Sequence, residues 1–187
     1  EQDLADALNS GKVYAEAGAQ TIGIGTGTAA SIELLDGDAG EAVVGGHAYD
    51  NGDLLVRVLD AGGNPVPGAA VAFNVNAGGN GAGASFTAPA LTDSDGETSV
   101  SALSNTIAGD FTVTASIGIG VDQSVEFVLS NVADDASQLH LVSGSGQTAS
   151  LGQAFGMPLT VRVTDQHGNP VAGESVDFTV PASGAGA

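Results

Sequence analysis

Two stretches of the chain repeat each other at a fixed distance, and that spacing limits the fold more than any other feature. Val56 to Val75 reads VRVLDAGGNPVPGAAVAFNV and Val161 to Val180 reads VRVTDQHGNPVAGESVDFTV, with 12 of 20 positions identical at an offset of 105 residues. That offset is too long for a helical-hairpin repeat and suits an all-β module of about 100 residues. The chain reads as a tandem array.

Strand periodicity draws one whole module. Leu54, Val56 and Val58 alternate with Leu55, Arg57 and Leu59, so the first set faces a core while Arg57 leans outward. Leu159, Val161 and Val163 repeat the pattern. The run DAGGNP from Asp60 to Pro65 then breaks the strand with turn formers, Gly62 and Gly63 permitting positive φ and Asn64 held extended before Pro65. Val71, Phe73 and Val75 share the face of a further strand, and Phe111 to Ile117 and Val125 to Leu129 supply two more around Gly118 and Gly120. With Ile32 and Leu34 near the start and Val100 and Ala102 in the middle, the spacing predicts about seven short strands between Ser31 and Asn131, the number of an immunoglobulin-like sandwich. No segment carries convincing helix caps.

Composition narrows the functions. The 187 residues contain no cysteine, which excludes a disulfide-stapled scaffold and a thiolate metal site. Hydrophobic content of 42% with no Trp leaves Val, Leu, Ile and Ala to fill each core. Lys12, Arg57 and Arg162 stand against 22 acidic residues, and the net charge of −19 repels nucleic acid and anionic membrane surfaces. Such acidity keeps a Gly- and Ala-rich secreted protein soluble, and it also raises the question of divalent cations. No run approaches the ~18 apolar residues of a membrane span, so membrane insertion by this segment is not expected. No charged and apolar leader is read at the start of the chain.

The order of these features carries a resemblance. A strand leading into DxxGNPVxG and a second strand, then LTDSDGE from Leu91 to Glu97, then AGDFTVTAS from Ala108 to Ser116, resembles the group-one bacterial immunoglobulin-like domain of the invasin and intimin family. The resemblance covers Ser31 to about Asn131, and again Ser137 to the end. It implies an all-β chain of tandem immunoglobulin-like β-sandwiches, located outside the cell on a bacterial surface or in a secreted fibre. In that family such domains mostly form stalks that hold an adhesive tip away from an outer membrane. No residues here resemble the tip or the membrane barrel.

The resulting organisation is residues 1–30 as the C-terminal strands of a partial domain, 31–131 as a complete domain, 132–136 as a linker, and 137–187 as the N-terminal half of a further domain. The last part stops at the equivalent of Ala82, while GKVYAEA from Gly11 to Ala17 aligns loosely with GDFTVTA from Gly109 to Ala115. Ile22 and Ile24 offer a final strand for the first partial domain. Two explanations follow. The chain is a window on a longer repeat protein, or the N-terminal strands of one subunit complete the C-terminal half-domain of the next in a head-to-tail fibre. Its partners are then neighbouring Ig-like domains or identical subunits, with a host or surface receptor engaged through domains outside this sequence.

Candidate chemical groups are few. Asp93, Asp95 and Glu97 place three carboxylates at alternate positions around Gly96, a pattern that suits calcium, although Asp-Gly is also an ordinary turn signal. Asp134 and Asp135 sit at the junction between modules, where a cation would stiffen the hinge. Asp36, Asp38 and Glu41 form a further acidic loop. Beyond this possible calcium, no cofactor is expected. Gly23, Gly25 and Gly27 imitate a phosphate loop without the strand-to-helix turn it needs. His47, His140 and His167 are scattered, with His140 expected to face solvent between Leu139 and Leu141, and His167 stands where the first copy has Gly62. Neither a Gly-x-Ser-x-Gly elbow nor a His-Glu-x-x-His helix occurs. Tyr14 and Tyr49 are the only tyrosines available to a binding surface. The reading is a structural spacer and not an enzyme.

Overall fold

Period-two burial builds the first unit. The computed structural model describes residues 27–89, 91–117 and 123–180, and the chain divides into a first unit ending at Val132 and a second beginning at Ala133. In the first, β1 (Ala29–Asp36) gives way to β2 (Gly40–Val43), and β3 (Leu54–Asp60) fully buries Leu54, Val56 and Val58 while Arg57 stays partly exposed. Then come β4 (Val71–Asn76), β5 (Ala84–Phe86), β6 (Glu97–Val100) and β7 (Ala102–Ser104), followed by the long pair β8 (Gly109–Ile117) and β9 (Ser124–Val132). No helix occurs among the described residues, so none is long and apolar enough to cross a membrane.

The strands form two main sheets. One has the order β1-β3-β6, antiparallel throughout. The other has the order β2-β9-β8-β4, with β2 parallel to β9 and the remaining pairs antiparallel. A small β5-β7 pair adds a third element. Ile32, Leu54, Val56, Val58 and Val100 from the first sheet form one buried cluster with Phe111, Val113, Ala115, Phe127 and Leu129 from the second. Each large apolar side chain removed from water contributes about 1.5–3 kcal/mol, so this seam is the main stabilising contact of the unit. Phe73 packs on Phe127 at 6.5 Å between ring centroids, and Tyr49 meets Phe111 edge-on at 6.2 Å.

Among the described residues of the first unit nine strands stand where alternation alone suggested seven. One cause is a kink at residues 37–39. Gly37 has φ of 90° and Ala39 has φ of 60°, the only non-glycine residue among those described with positive φ. A Cβ at Gly37 would lie 2.5 Å from the Asp53 carbonyl oxygen. The kink passes the chain from the first sheet to the second, splitting one edge strand into β1 and β2. A second cause is Ser101, which separates β6 and β7 into different sheets although Val100 and Ala102 are both buried.

The second unit repeats the opening of this plan. β10 (Gln138–Ser143) pairs antiparallel with β11 (Thr160–Thr164), with Leu139 opposite Val163 and Leu141 opposite Val161. In the first unit Ile32 lies opposite Val58 and Leu34 opposite Val56. Gly144, with φ of 94°, sits against Pro158 and Leu159 as Gly37 sits against Asp53 and Leu54. His140 is exposed as expected. Leu139, Leu141 and Leu159, its apolar neighbours in the pattern, are also more than half exposed, because no second sheet overlies the hairpin among the described residues of this unit.

β9 runs to Val132 and its penultimate residue is structural. Buried Asn131 donates from Nδ2 to the carbonyls of Gly83 and Ile107 and to Asn105 Oδ1, and its Oδ1 accepts the Tyr49 hydroxyl. Tyr49 is therefore an internal hydrogen-bonding residue and not a surface for recognition, and burial pushes its hydroxyl up to about 12. Tyr14 lies outside the described residues. Tyr49→Phe leaves the buried Asn131 oxygen without its donor and is expected to destabilise the first unit by about 1–3 kcal/mol, read as a lower urea midpoint with an unchanged slope.

Candidate functional site

One carboxylate organises the turn in each repeat, in the same way both times. Asp60 closes β3 and opens the DAGGNP turn. Its Oδ1 accepts the amides of Gly62 at 2.8 Å and Asn64 at 2.9 Å, and Asn64 Nδ2 reaches both carboxylate oxygens. Backbone bonds finish the turn: the Asp60 amide donates to the Asn64 carbonyl, Gly63 to Asp60, and Val66 back to Val58. This is an Asx-type turn, in which the side chain does the work of a backbone acceptor.

Asp165 repeats these bonds. Its Oδ1 accepts the amides of His167 and Asn169, both at 2.9 Å, and its Oδ2 accepts Asn169 Nδ2 at 2.8 Å. The Asp165 amide donates to the Asn169 carbonyl, Gly168 to Asp165, and Val171 to Val163. Because position 167 contributes a backbone amide, histidine and glycine serve equally there. Asp165 is fully buried. Burial alone would raise its carboxyl, but the hydrogen bonds from Asn169, Asp134 and His167 outweigh that and hold it at about 2. The Asp60 carboxyl is likewise lowered, chiefly by the backbone and side chain of Asn64.

The second oxygen of each carboxylate reaches further. Asp60 Oδ2 accepts the Gly27 amide at 3.2 Å, and Asp165 Oδ2 accepts the Asp134 amide at 3.1 Å. Gly27 lies four residues before Ser31, which pairs with Leu59, and Asp134 lies four residues before Gln138, which pairs with Thr164. The contact is thus the same in both units. A Cβ at Gly27 would lie 2.8 Å from the Asp60 carboxylate. At Asp134 the side chain is accommodated, and its Oδ2 accepts Gln166 Nε2 at 2.9 Å.

The acidic residues singled out by sequence serve turns, sheet edges and an ion pair. Asp93 Oδ1 accepts the amides of Asp95 at 2.9 Å and Glu97 at 3.0 Å, closing the turn ahead of β6. Glu97 points across the sheet to its register partner Arg57 and forms an ion pair with it, which raises the guanidinium above its ordinary value. Asp95 is exposed. Asp134 Oδ1 accepts the Asp135 amide at 2.8 Å, and Asp135 is itself exposed. Asp38 Oδ1 accepts the Val128 amide at 2.7 Å, and Asp36 Oδ1 accepts that of Gly37. Among the described residues, no three His, Asp or Glu side chains converge as a metal would require. His47, His140 and His167 stay apart from one another in the chain, and Gly23 and Gly25 lie outside the described residues. An open groove of about 350 Å³ in the second unit is lined by Leu139, Val163, Glu174, Val176 and Asp177 among others.

The turn carboxylate escaped the sequence reading, which treated Asp60 to Pro65 as glycine and proline punctuation. The available signal was the retention of aspartate, glycine, asparagine and proline in both copies while Ala61 and Gly62 are replaced by Gln166 and His167.

Comparison with known proteins agrees with this geometry. Residues 49–129 match the bacterial Ig-like domain (group 1). The first unit is a domain of that family. Over 130 residues, 67% of the chain, the sequence is 35% identical to the inverse autotransporter adhesin YeeJ of Escherichia coli K12, and it spans 5% of that protein's length. The crystal structure of invasin, a bacterial integrin-binding protein, superposes with a TM-score of 0.53 at 18% identity, covering 80% of this chain and 29% of that one. That likeness is one of fold.

The group 1 turn has a pH signature. The folded value of about 2 for Asp165 lies below the unfolded aspartate value of about 3.9. Its contribution is therefore complete above about pH 4 and is lost as the pH falls toward 2. Carbon-detected NMR of the Asp165 carboxyl should give a midpoint near 2; a midpoint at the ordinary value would contradict the hydrogen bonding described.

Proposed function

We propose that the chain is a spacer segment of a bacterial surface adhesin, a load-bearing stretch of Ig-like repeats that sets the distance between a cell surface and more distal domains. The observation that carries this reading is the parallel pairing of β2 with β9, the edge strand near the start of the first unit and the strand that ends it. Gly40 to Val43 register with Leu129 to Val132. The Ala39 amide donates to Val128 and the Val44 amide to Val132, at 2.9 and 3.0 Å. Tension between the ends of the unit pulls these two strands in opposite directions, so their bonds are sheared together and not peeled one by one.

The relationship to an adhesin supports the setting. YeeJ is named as an inverse autotransporter adhesin, and a surface-exposed, extracellular location follows for this chain under the same reading. Integrin binding belongs to invasin, and no residue described here is assigned to it. The group 1 domain, the internal role of Tyr49 and the lack of convergent titratable groups among the described residues favour a structural role over catalysis. Calcium remains a proposal for Asp93, Asp95, Glu97, Asp134 and Asp135.

Stretching the chain between its ends in a single-molecule force experiment tests the spacer. The first unit should give one discrete rupture that releases roughly 100 residues, a length gain on the order of 300 Å. Featureless extension at low force would remove the mechanical reading.

A second reading, the head-to-tail fibre, is favoured by one feature. Leu139, Leu141 and Leu159 are exposed at 55–59% where Ile32 and Leu54 are buried in the first unit. Strands from another copy would cover that face by completing the sandwich. Sedimentation velocity separates the readings: a spacer stays at a single species of 18.1 kDa over a hundredfold concentration range, whereas a fibre grows with concentration.

A further inference from the structure

We propose that Asp60 and Asp165 are positioning residues for the backbone that leads into each repeat, pinning the amides of Gly27 and Asp134 so that the turn at the end of one strand holds the start of another. Both carboxylates divide their oxygens in the same way. Oδ1 serves the turn through the amides at the second and fourth positions after the aspartate. Oδ2 holds the lead-in amide, at 3.2 Å from Gly27 and 3.1 Å from Asp134, and also accepts the side-chain amide of Asn64 or Asn169.

The shared register sets both lead-in amides four residues ahead of the one paired with the residue before the aspartate. The stretch from the lead-in amide to the aspartate is 33 residues in the first unit and 31 in the second, yet the amide arrives at the same oxygen. The two lead-in residues also differ, one a glycine and one an aspartate, so it is the backbone position that is held. The chain sequence places Asp134 two residues beyond Val132, the last residue of β9. A pin there shortens the run of backbone free to rotate ahead of β10. The second unit adds a side-chain tie, since Gln166 Nε2 reaches Asp134 Oδ2. Position 61 in the first unit is alanine and offers no such donor.

Chemistry explains why aspartate is needed. A carboxylate has two acceptor oxygens and can serve the turn and the lead-in amide together, whereas asparagine has one acceptor and one donor group. Asparagine can keep the two backbone amides of the turn on its oxygen, but its NH₂ must then face the lead-in amide and the turn asparagine's Nδ2, both of which donate. The turn and the pin are therefore separable by one substitution. The inference deepens the spacer reading and rests on it for its mechanical meaning, because a fixed lead-in is what converts repeat number into reach.

The test uses the full 187-residue chain labelled with ¹⁵N, with amide hydrogen exchange read residue by residue. In the unaltered protein the Gly27 and Asp134 amides should exchange at least about tenfold more slowly than an unstructured chain. Asp165→Asn should erase most of the protection at Asp134 while the His167 and Asn169 amides stay within about twofold of their starting rates. Gln166→Ala, which cuts the side-chain tie alone, should leave Asp134 protected within about twofold.

An unprotected Asp134 amide in the unaltered protein overturns the proposal, even if Asp165→Asn does not fold. So does unchanged Asp134 protection in a folded Asp165→Asn. Loss of protection in Gln166→Ala would transfer the role to Gln166 and overturn the assignment to the carboxylate. None of these readings depends on the force trace, so failure of the pin and failure of the spacer are told apart.

Discussion

The contact on which the first unit depends is the dry seam between its two sheets. Leu54, Val56 and Val58 from β3 meet Phe111, Val113, Phe127 and Leu129 from β8 and β9, all almost without exposure. In a chain with no tryptophan and a net charge of −19, this narrow apolar layer must offset the self-repulsion of the surface. The alternation that produces it is strict, because a slip of one residue would turn Leu55 and Arg57 inward. Arg57 instead pairs with Glu97 at the sheet surface, which gives the outward face of the same strands a register-specific contact.

Two sheets alone would leave open edges, and the chain closes one by splitting its first strand. Gly37 and Ala39 adopt positive φ so that β1 lies beside β3 and β2 lies beside β9. The arrangement joins the beginning and the end of the unit in parallel, and the Asn131 network locks the last strand to Tyr49, Gly83, Asn105 and Ile107. A buried polar cluster of this kind is stable only when every member is satisfied. It specifies where β9 must end, which an apolar contact would not do.

Much of this was legible in the sequence, because alternation and a constant offset are local signals. The 105-residue repeat gave the tandem β organisation, and the inward sets of β3, β8 and β9 were read correctly from spacing. Other features depend on contacts far apart in the chain. Nothing in the sequence around Ala39 announces positive φ in a non-glycine residue. The division at Ser101 depends on Val100 and Ala102 choosing different partners. Tyr49 looks like a surface tyrosine until Asn131, 82 residues away, takes its hydroxyl. Among the candidate cation residues, Asp93 accepts its own loop amides and Glu97 pairs with Arg57, contacts set by the turn and by the register of β3 and β6.

The second unit separates what the repeat encodes locally from what it borrows. Its turn is bonded as in the first unit and its hairpin has the same facing pairs, although the leucines of that hairpin are exposed. The turn geometry therefore accompanies Asp165, Asn169 and Pro170 in both copies, whether or not the hairpin leucines are covered. The core positions behave oppositely: Leu54 and Leu159 occupy the same place in the repeat, yet one is at 0% exposure and the other at 55%. For a protein built by repetition this division is useful. A turn that forms from its own hydrogen bonds can define where each repeat begins before the opposing sheet arrives, and the apolar face it presents is then the demand that the rest of the sandwich meets.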